Sequence, residues 1–395
     1  MNGKSVSLLT INFEVKSRSF YVTDQSGMDT LRNGNIGTGA KDKLVLMPEE
    51  ALYLMDVRNA ECVDAASGSR MRFNDVARQF SRNRKFMARY FTYKDWRDRG
   101  LAIRSMGEPF KEAAGRVPSK KYPQSSLRLK GYRLSGVFFP EDMTTIVDDQ
   151  EKGREIYLEN WFGQYGTYKL SDHGILNKLD IYETVFLMGA GALEVSNSTR
   201  SKIFETAARR RSDFPKLYDV YRDWRSKGYV VKTGFKFGTH FRIYFPGARP
   251  IKDDPKWVHS RHVVHVFPRD TKLLISEWAR VIRVAHSVRK TFILAIPGKS
   301  RKKKLSTDFV LYHRKGNGIE IPGEDSPRFA MLSLSEDEYM GGAELSAIIS
   351  EAKARRLELV VAIADRETAV TYYKVRMIEL PKSVYEYYEI DWMQP

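Results

Sequence analysis

Tyr244, His259 and Lys290 are three side chains in the stretch 233–314 whose types could do chemistry together. Cleaving RNA with its own 2′-hydroxyl needs a group to take that proton and a group to protonate the leaving 5′-oxygen. It also needs a cation for the charge that develops on the phosphate. A tyrosine, a histidine and a lysine can supply all three with no metal and no other cofactor. A phenol ordinarily has a pKa of about 10, so it serves as a base near neutrality only beside cations. Lys290 and Arg283 are the candidate cations. His259, His262 and His265 have metal-like spacing, but that spacing converges only on a helix, and Val258 to Phe267 reads as β. No metal site is therefore expected, and His262 and His265 read as structural or RNA-facing.

The elements around these residues follow from periodicity. Residues 232–245 alternate large apolar with polar side chains and are broken by glycines, as in a hairpin. A strand is expected at Val263–Phe267, a helix over about Leu274–Arg289, a buried strand at Thr291–Ile296 and a last strand at Phe309–Arg314.

Upstream lies an internal repeat. YKDWRDRGLAIR from Tyr93 to Arg104 matches YRDWRSKGYVVK from Tyr221 to Lys232, at an offset of 128 residues. Leu46–Met55 matches Leu179–Met188 at an offset of 133, and Pro48 suits the first turn of a helix. Residues 1–104 and 131–232 thus read as two copies of one small helix-rich module. The stretch 105–130, rich in Pro, Gly, Ser and Lys, reads as a linker. A third relation aligns Phe292–Ile296 with Leu359–Ile363 at an offset of 67, which sets Lys290 opposite Leu357. Tyr372–Arg376 echoes Val310–Arg314. Residues 319–395 therefore read as a degenerate copy of a catalytic module spanning 233–318.

The 395 residues carry 66 Lys+Arg against 49 Asp+Glu, a net charge of +17, which favours an anionic partner such as nucleic acid. With 42% hydrophobic residues the chain can build cores, so wholesale disorder is excluded. A single cysteine, Cys62, excludes a disulfide framework or a Cys-based zinc site within the chain. The N-terminus lacks the apolar core of a signal peptide, and the longest apolar run, Leu359–Ala364, is far short of a membrane span. A soluble, cytoplasmic protein is expected.

Taken in order, GFKFGTHFRIYFP from Gly234 to Pro246, then His259-Ser260, then AHSVRK from Ala285 to Lys290, resemble the motifs of the archaeal tRNA-splicing endonuclease family. The lead-in at 221–232 is similar to the family segment that precedes them. The resemblance implies an α/β (α+β) fold of helix-rich N-terminal modules with mixed sheets, plus a restriction-endonuclease-like catalytic module. It implies Tyr244 as general base, His259 as general acid and Lys290 as transition-state stabiliser. The family clamps a bulged base between two arginines; Arg283 matches the first by position and Arg314 the second. The run Arg301, Lys302, Lys303 and Lys304 reads as phosphate-contacting.

By the same resemblance the substrate is a precursor tRNA with a bulge–helix–bulge, cut twice to leave 2′,3′-cyclic phosphate and 5′-hydroxyl ends. Two cuts need two complete sites, which a homodimer of this chain would supply. An acidic loop of the inactive unit docks on the partner in such enzymes, a role that falls to Glu324 and Asp325. Two other readings stand beside this one. One is a non-catalytic RNA-binding subunit of a splicing assembly. The other is a metal-dependent DNA nuclease, for which Glu351-x-Lys353 is a weak motif.

Overall fold

The computed structural model describes residues 8–39, 41–115, 117, 119–167, 173–250, 260–298 and 305–395. Its architecture is mixed α/β. The two repeated modules share one strand order over five strands, and the first adds a sixth at its edge. The first sheet runs Thr38–Gly39, Leu44–Leu46, Ser19–Val22, Thr10–Glu14, Glu61–Asp64, Arg70–Met71. The second runs Gln164–Tyr165, Asn177–Asp180, Thr144–Val147, Leu134–Phe139, Leu193–Val195. Each has one parallel pairing, in the same place.

The repeated residues recur because each has a buried job. Glu50 and Glu183 sit third in the helices Pro48–Val57 and Ile181–Gly189. Each accepts from its helix's N-cap amide, Met47 at 2.9 Å and Asp180 at 3.1 Å. Each also accepts from a glycine amide, Gly37 at 3.1 Å and Gly163 at 2.9 Å. Both glycines have φ +73°, where a side chain is strained. The neighbouring cation is Arg104, 3.6 Å from Glu50, in one copy and Lys232, 2.6 Å from Glu183, in the other. Burial pushes the Glu50 carboxyl up to about 7 against the pull of Arg104. Arg97 bonds the carbonyls of Gly34 and Leu101, and Arg225 those of Asn160 and Tyr229.

The main sheet takes strands from both ends of the chain. In sequence order they are β1 Ile103–Ser105, β2 Val230–Thr233, β3 Phe241–Tyr244, β4 His262–Val266 and β5 Thr291–Ile296. There follow β6 Phe309–Leu311, β7 Phe329–Ser335, β8 Glu358–Ala364, β9 Val370–Glu379 and β10 Glu386–Met393. Across the sheet the order is β2-β3-β4-β5-β10-β9-β8-β7-β6-β1. Read outward from the central β10·β9 pair, the two sides match in sense: antiparallel, parallel, antiparallel, antiparallel. The parallel pairs β4·β5 and β7·β8 are bridged by helices α1 Ile275–Ser287 and α2 Gly342–Ala354. One half of the sheet carries Lys290 and the other carries Leu357.

These helices pack a common core on one face of the sheet, with Trp278 and Ile282 joined to Leu345 and Ile349. On the other face one N-terminal module packs on each half, giving a three-layer arrangement.

Two expectations differ from this layout. The strand expected to end the 233–318 module, Phe309–Arg314, is hydrogen bonded to β1 and β7 as β6, in the Leu357 half. The expected boundary at 318/319 therefore falls inside that half, between β6 and β7. Tyr372–Arg376 lies in central β9, not at a place equivalent to β6. A short apolar strand records that it is buried but not which strand it lies beside, so adjacency in sequence is a poor guide here.

The linker is also more than a tether. Lys120–Lys121 pairs in parallel with β9, and the Tyr122 amide donates to the Glu379 carbonyl at 3.1 Å. The Tyr122 hydroxyl and Lys120 Nζ both donate to buried Glu389, at 2.5 and 2.7 Å.

Candidate active site

Register brings the site together. Val230 lies opposite Tyr244, Ile243 opposite His262, and His262 opposite Thr291. One residue earlier on β4 and β5 stand Arg261 and Lys290, so Tyr244, Arg261 and Lys290 form a row across three strands at one end of the sheet. Side chains on a strand alternate faces. This row shares its face with Val263 and Phe292, which are packed in the core under α1. Two strand steps separate the backbones of Tyr244 and Lys290, about 10 Å.

Lys290 is fixed by the end of α1. Arg289 adopts a left-handed conformation at φ +55°, and the Lys290 amide donates back to the Ala285 carbonyl at 3.0 Å. Its Nζ donates to the Ser260 carbonyl and lies 4.8 Å from the Phe237 ring centroid. Burial first, and the Arg242 charge second, hold the ammonium below the usual lysine range. Tyr244 is buried, its ring 4.6 Å from that of Trp161, which the second N-terminal module supplies. The guanidinium of Arg242 stands 5.8 Å from the same phenol ring.

Seven residues upstream of Lys290, Arg283 is exposed on α1, and its charge acts on the Tyr373 hydroxyl. His259 lies outside the described residues, as do Arg301, Lys302, Lys303 and Lys304. The other candidate histidines are described. His262 and His265 are three apart on a strand and face opposite sides, so they do not converge on one metal. His262 packs against Tyr122 and Phe245, and His265 against His240 and Phe292. Burial pushes both imidazoles down to about 4, so at pH 7 they are neutral rather than imidazolium.

Arg314 is exposed in the short hairpin after β6, in the Leu357 half. Seven strand steps separate β3 from β6, on the order of 30 Å, so one chain does not bring Arg314 to Tyr244. Asp325 is held at home: it pairs with Lys315 at 2.7 Å and accepts from the Ile321 amide at 2.9 Å. The carbonyl of Glu324 accepts from Lys111 at 2.8 Å. Glu351 lies on α2 and pairs with Arg355 at 2.5 Å, while Lys353 Nζ reaches Met377 Sδ.

Two neighbours escaped the sequence reading. Arg242 precedes Tyr244 by two residues and shares its face, a relation that strand alternation alone could have flagged. Trp392 is 58% exposed. Extending the pairing of Phe292 with Ile390 by two residues sets it beside Lys290, and its partner on β9 is Tyr373. No local sequence signal joins Trp392 to Lys290, because the whole Leu357 half intervenes.

Residues 214–305 match the family described as tRNA intron endonuclease, catalytic C-terminal domain. That stretch contains Tyr244, His259 and Lys290. A tRNA-splicing endonuclease of Methanopyrus kandleri is 39% identical over 131 residues, 32% of this chain and 69% of the relative. One from Hyperthermus butylicus is 35% identical over 164 residues, 40% of this chain and 87% of the relative. The chain belongs to the tRNA intron endonuclease family. Family membership indicates an RNA endonuclease. A longer relative from Methanosarcina mazei is 34% identical over 164 residues, 43% of its length. Among the described residues no helix is long and apolar enough to cross a membrane.

Proposed function

We propose that this tRNA intron endonuclease excises introns from precursor tRNA at bulge–helix–bulge motifs. Tyr244 takes the proton of the 2′-hydroxyl at the cut. That oxygen bonds to phosphorus as the bond to the 5′-oxygen breaks, and His259 protonates the leaving oxygen. Lys290 holds the charge on the non-bridging oxygens. The products are a 2′,3′-cyclic phosphate and a 5′-hydroxyl, and the step needs no metal.

The observation that carries this reading is the row that sets Tyr244 and Lys290 on one face at one end of the sheet. The neutral state of His262 and His265 supports His259 as the acid, because burial disfavours in both of them the imidazolium form that protonates a leaving oxygen. For the bulged base, Arg283 is one stacking surface, and the exposed indole of Trp392 supports it as a second within the same chain. Two cuts per intron are met by a homodimer with one Lys290 half in each protomer.

The deciding experiment is incubation of the purified protein with a bulge–helix–bulge RNA in EDTA, with mapping of the cut ends. Cyclic phosphate and 5′-hydroxyl ends are expected. Loss of cleavage in EDTA would overturn the reading in favour of a metal-dependent nuclease. Normal cleavage by His259→Ala would overturn its role. Docking by Glu324 and Asp325 fails if a double alanine variant sediments as the wild-type dimer.

A further inference from the structure

We propose that Arg242 is a second phosphate-binding cation of the site, gripping the non-bridging oxygens of the scissile phosphate together with Lys290. The proposal rests on the reaction given above and adds a residue to it. Arg242 lies opposite Val263 and so shares the α1-side face with Tyr244 and Lys290. Its guanidinium is 5.8 Å from the Tyr244 ring. Its Nε is buried and has no hydrogen-bond partner. Among the described residues no carboxylate is ion-paired with Arg242 or with Lys290. Two cations thus share one partly buried face, and the charge of Arg242 already disfavours the Lys290 ammonium. An anion between them relieves that repulsion, and a guanidinium fork suits two phosphate oxygens.

The Leu357 half supplies an independent comparison within the chain. Lys232 pairs with Arg242 across β2·β3, and Arg104, its repeat counterpart, pairs with Val310 across β1·β6. The next residue but one after Val310 is Tyr312, in the place of Tyr244. That half keeps the tyrosine but has Val310 for Arg242 and Leu357 for Lys290. The two cations are replaced together by apolar residues, as expected if they serve one ligand.

The test is single-turnover cleavage of a bulge–helix–bulge RNA by Arg242→Gln and Arg242→Lys, with RNA affinity and Tm measured alongside. Arg242→Gln is expected to cleave about 100-fold more slowly while keeping the wild-type Tm, and Arg242→Lys to recover part of the loss. The charged groups facing Lys290 are Arg242 from β3 and Arg261 beside it on β4. Removing Arg242 should therefore move the alkaline limb of the pH–rate profile to higher pH, which a purely structural role would not do. Wild-type rates for Arg242→Gln, or a slow variant with lowered Tm and an unmoved alkaline limb, overturn the proposal. Wild-type cleavage in EDTA tests the reaction separately, so normal cleavage by Arg242→Gln sinks the Arg242 role alone.

Discussion

Lys290 and Leu357 occupy the same place in the two halves of the sheet. Each amide donates to an alanine carbonyl at the end of a helix, Ala285 at 3.0 Å and Ala352 at 2.9 Å. Each follows a left-handed arginine, Arg289 at φ +55° and Arg356 at φ +60°. The backbone is kept and the side chain is exchanged, so one position has a half-buried amine and the other a core contact. Lys290→Ala should lower the single-turnover rate by about 100-fold or more with little change in Tm. Leu357→Lys, at a site 1% exposed, should bury an unpaired charge and cost roughly 3–5 kcal/mol without adding a second activity. Thermal unfolding and RNA cleavage of the two variants check both statements.

The buried imidazoles predict an acid sensitivity. His265 has a native pKa near 4, against an ordinary value of about 6.5 in the unfolded chain. Between those values the unfolded state binds the proton and the native state does not, so stability falls as pH falls through that window. For His265 the full effect is about 3 kcal/mol. Glu50, raised to about 7, acts in the opposite sense, losing its contribution as pH rises. Comparing wild type with His265→Gln cancels that term. The gap in unfolding free energy should shift against the wild type by that amount from pH 7 to pH 4, measured by urea titration.

The docked linker predicts a change in protease sensitivity. Tyr122→Phe removes one of two donors to buried Glu389 and should cost about 1–3 kcal/mol. Tyr122→Ala also empties the space of a buried ring packed on Trp224 and Phe245. Trypsin should then cut in the linker, at Lys120 or Lys121, much faster than in the wild type. Equal digestion rates for Tyr122→Ala and wild type would show that the anchor does not hold the linker.

Strand β10 predicts the effect of a truncation. It pairs with β5 over five residues, and its Ile390 is fully buried between the halves. Removing residues 381–395 leaves Tyr244, His259 and Lys290 in the chain yet strips β5 of a neighbour. Loss of cooperative unfolding and of cleavage is expected, read by circular dichroism and RNA cleavage.

Much of this was legible in the residues. The N-terminal duplication shows in sequence because Glu50 and Glu183, and Arg97 and Arg225, each have a side-chain role that few other residues fill. Tyr244 and Lys290 stand out because their motifs are local: a hairpin end and a helix end. Strand partners are another matter. The side of the sheet that β6 joins, and the pairing of β5 with β10, depend on contacts between segments far apart in sequence, where each strand reads simply as apolar. Arg242 is not legible in the sequence because a basic residue in a strand looks like an outward solvent contact until its neighbours are known.

The crossed return of β10 to β5 also sets an order of events. Ribosomes build proteins from the amino end, so the fifth strand of the Lys290 half is made only after all of β6 to β9. A nascent chain that already holds Tyr244, His259 and Lys290 therefore lacks the neighbour of β5 until the Leu357 half has been synthesised.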